Sequence, residues 1–351
     1  MSNFPARTLG QRMFQRNKLA GQSPLGQVFT YAALILWSLV VLVPLYWVLV
    51  TSLKIRIQVD SGPFYIPFLD FAPSLENWRY IFVDLGRDTL RPYMNSVVVA
   101  LTSTILAVFF GSLAAYALVR LTFRVKIAAI VTFLVLLAAT IAAVALFGVP
   151  WLVAAGAAIA LFLIFLVTLA RRFRRALGNN DIEFWMISNR IMPPVVAVLP
   201  IYLMFQKLHL LDTQVALIAT YTAVNLPIVV WLTRDFFAAI PYELEESAQI
   251  DGASKFRIFF TIALPLTRAG LVATFLLVLI LAWNEYLLAL FLSNANAQTM
   301  PILVSAQNGT RGPEWGYMSV LIVIMIAPVI AITVALQKQI ARGLLVGAMK
   351  G

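Results

Sequence analysis

The chain has 351 residues, of which 62% are hydrophobic and only 12% charged, and its mean hydropathy is +0.90. A soluble domain carries about 25% charged residues, so this chain lacks the polar side chains to cover a soluble surface and reads as a polytopic membrane protein. With no cysteine it offers no disulfide, no Cys-ligated metal and no thiol chemistry, and its single histidine, His209, argues against a His-based metal centre or a serine–histidine relay. The net charge of +11 falls mostly between apolar runs. That pattern sets membrane orientation and does not point to nucleic acid.

A hydrocarbon core about 30 Å thick needs about 20 apolar residues per helix. Runs at 28–53, 92–119, 127–170, 191–206 (extendable back to 183), 213–233, 269–292 and 315–337 meet or approach this length. The run 127–170 would make a helix of ~66 Å and must fold back. Gly148-Val149-Pro150-Trp151 is the natural break, because Pro and Gly end helices and Trp favours the interface. The expected fold is an all-α transmembrane bundle of about eight spans. Residues 1–27 form a basic arm, followed by an apolar run that reads as a retained anchor and not a cleaved signal.

Placing the N-terminus in the cytoplasm assigns 18 of the 26 basic residues to inner segments, including Arg120, Arg124, Lys126, the cluster Arg171, Arg172, Arg174 and Arg175, and Arg234. The outer segment 54–91 balances five basic residues with five acidic ones. Both termini are therefore expected inside.

One inner loop differs from the rest. Residues 239–268 collect the acids Glu243, Glu245, Glu246 and Asp251 behind Pro241, an arrangement that suits the positive end of a helix dipole. Leu244, Ala248, Gly252 and Phe256 recur every four residues and share a face while helical geometry lasts. Gly252 invites a turn. The segment reads as a short helix–turn–helix built to dock into a partner, although an amphipathic helix lying on the membrane surface would show a similar pattern.

Glu246-Ser247-Ala248, then Gly252, Ile262 and Leu264-Pro265, resemble the EAA loop of binding-protein-dependent ABC importer permeases. Ser52-Leu53-Lys54, Leu75-Glu76-Asn77-Trp78, Asn95-Ser96-Val97 and Ala114-Ala115-Tyr116-Ala117 followed by Arg120 resemble the carbohydrate group of that family. Met192-Pro193-Pro194, Trp283-Asn284-Glu285-Tyr286 and the close from Arg342 to Gly351 add to the likeness, which is to the maltose-type permease subunit. Ser247 stands where the motif has alanine, and 127–175 is a hairpin beyond the family's usual six spans.

The resemblance implies a type I importer permease that forms half of a translocation pathway. It implies a second permease subunit, two ATPase subunits, an external solute-binding protein and the lipid bilayer as partners, in a bacterial or archaeal plasma membrane. The EAA residues would seat in the ATPase, and Gly347, Lys350 and Gly351 of the tail would touch it. The chain itself is expected to be no enzyme and to bind no cofactor, with ATP and Mg on the partner; it carries no G-x-x-x-x-G-K-[ST] phosphate loop.

Glu285 is the only acid inside an apolar run and lies beside Trp283 and Asn284. An intramembrane acid is either a pathway group or a bundle-holding hydrogen bonder. With Pro193 and Pro194, expected to break the fifth span, these residues form the candidate pathway set. A secondary transporter would show several buried charges and inverted repeats, and a membrane enzyme would need a paired catalytic constellation; the sequence shows neither. Scarcity of cations along the spans favours neutral sugars or polyols over phosphate-bearing solutes, and a permease for a non-carbohydrate solute remains the alternative.

Overall fold

Hydrocarbon offers the backbone no hydrogen-bonding partner, so each apolar run must satisfy its own N–H and C=O groups as a helix. A computed structural model describes residues 24–348 apart from 63, 170, 171, 174, 192, 310 and 311, and it is almost wholly helical. The main elements are α1 (Pro24–Ser52), α2 (Gly86–Arg120), β1 (Val125–Lys126), α3 (Ile127–Phe147), α4 (Trp151–Thr168), β2 (Ala176–Leu177) and α5 (Asn179–Ile191). They continue as α6 (Pro194–Lys207), α7 (Gln214–Ala238), α8 (Tyr242–Ile250), α9 (Arg268–Trp283), α10 (Leu287–Leu292) and α11 (Trp315–Ala348).

Among the described residues, five helices are long and apolar enough to cross a membrane, or up to seven if each of two bent pairs counts as one span. The apolar part of α4, Leu152–Thr168, is shorter. All eight expected runs are therefore helical, but two of them are broken. The fifth run bends by 87° between Asn179–Asn189 and Pro194–Lys207, where Pro194 can start a helix but cannot continue one. Met192 lies outside the described residues.

The run 269–292 is not one continuous helix, although its length alone suggests one. Helix α9 ends at Trp283 and α10 begins at Leu287. The polar pair between them causes the break. Asn284 Nδ2 donates to the Ile280 carbonyl, competing for a helix acceptor, and Glu285 Oε1 accepts the Leu288 amide at 3.0 Å.

The chain divides into two compact units, Met1–Arg91 with Leu303–Pro328 and Pro92–Ile302 with Val329–Gly351. In the first, the two motif segments at 52–54 and 75–78 meet. Asn77 Nδ2 donates to the carbonyls of Ser52 (3.2 Å) and Lys54 (2.7 Å), and Trp78 Nε1 donates to Ser52 Oγ. Asn77 thereby satisfies carbonyls left open where α1 ends. Burial pushes the Lys54 ammonium below its ordinary range, against the opposing pull of Asp70, and Lys54 Nζ sits 5.0 Å from the Trp47 ring centroid.

In the second unit, α2 and α7 approach so closely that a Cβ on Gly111 would fall 2.5 Å from Val229 Cγ1. Gly270 of α9 likewise lies against the ring of Phe236. Small residues at such crossings let helix backbones pack without a hydrophobic drive. A buried cluster of Tyr116, Val230, Phe237, Ile240, Phe259 and Ala263 fills the end where α2 and α7 finish, with Ile182 and Met186 of α5 against it.

The hairpin α3–α4 turns at Gly148, whose φ of +63 suits glycine, and Trp151 opens the return helix. Its base is closed by the antiparallel pairs Val125↔Leu177 and Lys126↔Ala176. Phe133 and Phe162 meet edge to face at 5.8 Å between the helices.

Candidate functional site

The loop 239–268 folds into a series of short helical turns. Pro241 precedes α8, which ends at Ile250. Gly252 then takes φ +81 with nothing within 4 Å of where a Cβ would stand, so the chain turns there and that side stays open. Ser254 caps the next turn, Lys255–Ile258, by accepting the Arg257 amide. A π-helical turn, Phe259–Ala263, and Leu264–Leu266 follow. The segment Lys255–Leu266 then bends 81° into α9.

The motif residues fall on the open side of this loop in two groups. Glu246, Ser247 and Gly252 are exposed and Ala248 is half-buried, with Ser247 Oγ donating to the Glu243 carbonyl. Ile262 and Leu264 are half-buried in the second limb and Pro265 is exposed. Apolar side chains stand out beside them, Ile250 at 87% and Phe256 at 70% exposure. An apolar cleft of about 280 Å³ lined by Ile240, Pro241, Leu244, Leu266 and Gly270 runs along the loop's inner edge.

Of the glutamates expected to complement the helix dipole, Glu245 does something else. It is 2% exposed; its Oε1 accepts from Arg120 Nε at 2.7 Å and its Oε2 accepts from the Tyr116 hydroxyl at 2.7 Å. Both lone partners of a buried carboxylate are thus supplied. Arg120 Nη2 also donates to the carbonyls of Phe237 (3.2 Å) and Ile240 (2.8 Å), capping the C-terminal end of α7 with a cation. Nearby, Arg234 Nε pairs with Glu183 Oε1 at 2.6 Å, tying α5 to α7. Motif spacing points to Glu246 and to Arg120 separately; that Glu245 one position earlier faces inward follows only from the helix phase.

The candidate pathway residues separate. Glu285, Pro193 and Pro194 line one cavity of about 550 Å³ together with Asn189, Pro227 and Leu288, a volume in the range of small-molecule sites. Trp283 is buried, edge-on to Tyr93 at 6.1 Å, and Asn284 is exposed and bonded within its own helix; neither lines that cavity. The Tyr221 hydroxyl donates to the Glu285 carbonyl. Gly347 falls in the last turn of α11, while Lys350 and Gly351 lie outside the described residues.

At the opposite end of the second unit, Asp212 is a clamp that composition could not reveal. Its carboxylate accepts from the amides of Asn294, Asn296 and Ala297 and from Asn296 Nδ2 at 2.8–3.0 Å. Burial raises its pKa, but these donors together outweigh it and hold the carboxyl below the usual range. Asn95 Nδ2 donates to the carbonyls of Asn296 and Gln298, and Ser96 Oγ accepts the Met300 amide. The Asn95-Ser96 motif pair therefore fixes the same loop.

Comparison with known proteins agrees with this geometry. Residues 172–346 match the family described as the binding-protein-dependent transport system inner membrane component. The sulfoquinovosyl glycerol transport system permease protein SmoH of Agrobacterium fabrum is 30% identical over 312 residues, 88% of this chain and 89% of that protein. The trehalose/maltose transport system permease protein MalG of Thermococcus litoralis is 27% identical over 321 residues, 90% of this chain and 94% of its own length. Among solved structures, a bacterial ABC transporter involved in the import of the acidic polysaccharide alginate superposes with a TM-score of 0.58 at 18% identity, covering 95% of this chain and 99% of that one; it shows the type I importer permease fold. Membrane-length helices, with relatives of this kind along nearly the whole length, place the chain: it belongs to the binding-protein-dependent inner membrane components, the permeases of ABC transporters.

Proposed function

We propose that this permease imports a sugar, oligosaccharide or polyol and forms half of its pathway beside a second permease subunit. It is driven by two ATPase subunits and supplied by an external binding protein. The loop 243–265 faces the cytoplasm, as the basic residues around it require, and seats in the ATPase through Glu246, Ser247, Ala248 and Gly252. Catalysis belongs to the ATPase, which binds ATP and Mg; this chain binds none. The observation that carries the reading is the loop itself: an uncovered acidic and apolar face built on a buried anchor, in a chain without a phosphate-binding loop. The carbohydrate assignment is supported by relatives whose names specify trehalose, maltose and sulfoquinovosyl glycerol and by the cavity holding Glu285 and Asn189.

The test is reconstitution of this chain in proteoliposomes with a companion permease, an ATPase and a binding protein that co-purify with it. Uptake of labelled trehalose, maltose and glycerol is measured against methionine and sulfate, with and without ATP. Sugar uptake that requires ATP is the expected result. Uptake of methionine or sulfate alone would overturn the carbohydrate reading, and uptake without the ATPase would overturn the coupling.

A further inference from the structure

We propose that Arg120 and Tyr116 are positioning residues that carry the movement of the docking helix α8 into the membrane helices α2 and α7. The inference rests on the docking role proposed above and names the internal path that role requires. Four observations converge on one guanidinium. Its Nε holds the buried Glu245 of α8, and its Nη2 holds two carbonyls at the end of α7. It grows from the last residue of α2. Its Cζ lies 5.7 Å from the ring of Tyr242, the first residue of α8.

A planar fork with several fixed donors can join three elements at once, which a flexible ammonium cannot. Tyr116, one turn earlier on α2, donates to the second carboxylate oxygen and leaves Glu245 no freedom to swing. Its ring also packs against Phe237 at 5.7 Å and Phe259 at 5.2 Å, one before and one after α8 in the chain. Below this node, α2 and α7 are locked by the Gly111–Val229 contact. A push on the exposed face of α8 thus cannot be absorbed at its base. It must shift the ends of α2 and α7 together, because detaching Glu245 would strand a buried charge.

The test uses the assembled transporter carrying Arg120→Lys, which keeps the charge and loses the fork, and Tyr116→Phe, which keeps the ring and loses one hydrogen bond. Three quantities are read: ATPase subunits bound per complex, ATP hydrolysis with and without loaded binding protein, and solute moved per ATP. Arg120→Lys should keep wild-type ATPase content and basal hydrolysis while solute moved per ATP falls roughly tenfold, the scale of one lost hydrogen bond to a charged group. Tyr116→Phe should give a smaller fall of the same kind, roughly threefold. Wild-type transport per ATP in both variants would overturn the proposal. A fall that merely tracks lost ATPase content would also overturn it, by reducing the node to a structural one. Failure of the docking reading is distinct, because the parent complex would then show no ATPase bound through α8, as read by cross-linking from position 250.

Discussion

Glu285 receives the backbone amide of Leu288 on one carboxylate oxygen, 3.0 Å away, and that bond restarts a helix inside an otherwise apolar run. The same side chain lines the cavity of about 550 Å³. Its capping of the break and a part in the pathway can be told apart by chemistry. Glu285→Gln keeps an acceptor for the Leu288 amide and a polar group in the cavity. Glu285→Leu removes both and leaves the amide at the break unpaired, a cost of about 1–3 kcal/mol. Transport per folded complex should fall by less than about threefold for Gln and by tenfold or more for Leu. Equal loss of assembled complex in both variants would make Glu285 a purely structural group.

Gly252 separates backbone strain from docking. Its φ of +81 lies where side-chain-bearing residues are strained, yet the surrounding space is open. Gly252→Asn, whose short amide tolerates this region, should keep insertion and most uptake. Gly252→Phe adds strain of about 1–2 kcal/mol and a ring on the docking face, so ATPase association and uptake should both drop while membrane insertion continues. Retention of ATPase by the Phe variant at the wild-type level would refute a docking surface at this turn.

The Asp212 clamp predicts how acid acts on the loop 294–297. Its folded-state pKa is depressed, so its contribution is present above the unfolded value of about 3.9 and is lost as pH falls through the lower folded value. Between pH 7 and 5 the wild-type melting temperature should show no change traceable to this group. Asp212→Asn keeps a residue that tolerates the φ of +59 but has one acceptor oxygen where the carboxylate serves four donors. The variant should be less stable at neutral pH by about 1–2 kcal/mol, discounted for partial exposure, and the gap to wild type should close below pH 4. A gap independent of pH down to the lowest values would assign the loss to packing.

How far the residues alone could be read depends on range. Each long apolar run is helical among the described residues, because hydrocarbon imposes one solution on the backbone. The turn at Gly148 and the break beside Pro193 followed from local chemistry. The second break at Asn284-Glu285 is not legible in the apolar run 269–292, since capping by a side chain three residues away leaves hydropathy unchanged. The loop 239–268 is legible as a motif, but the buried Glu245 that anchors it is not. Glu245, Arg120 and Tyr116 are separated by up to 129 positions, and nothing in the spacing selects that glutamate over its two neighbours. Asp212 escaped for a similar reason: its partners are mostly backbone amides of a loop more than 80 residues away.

The hairpin α3–α4 gives the last prediction. Its side chains remain largely uncovered: 6% of the apolar window in Ile127–Val144 is buried, against 39% in α2 and α7. Two of its three hydroxyls are spent on its own backbone, Thr140 on the Leu136 carbonyl and Thr168 on the Ile164 carbonyl. A helix lining a sugar pathway should offer hydrogen bonds to replace lost water, and this pair offers almost none. We therefore expect it at the lipid-facing edge, outside the pathway. The structure also shows where to cut. Lys126 and Ala176 stand opposite each other in the ladder, about 5 Å apart at Cα, too far for one peptide bond at 3.8 Å but right for a two-residue turn. Replacing 127–175 by Asn-Gly should close the ladder as a tight hairpin. Such a shortened chain should assemble with its partners and transport within about twofold of wild type, since surface insertions contribute little to a distant core. A complex that assembles normally yet no longer moves solute would put the hairpin in the pathway, and failure to assemble would place it in a subunit interface.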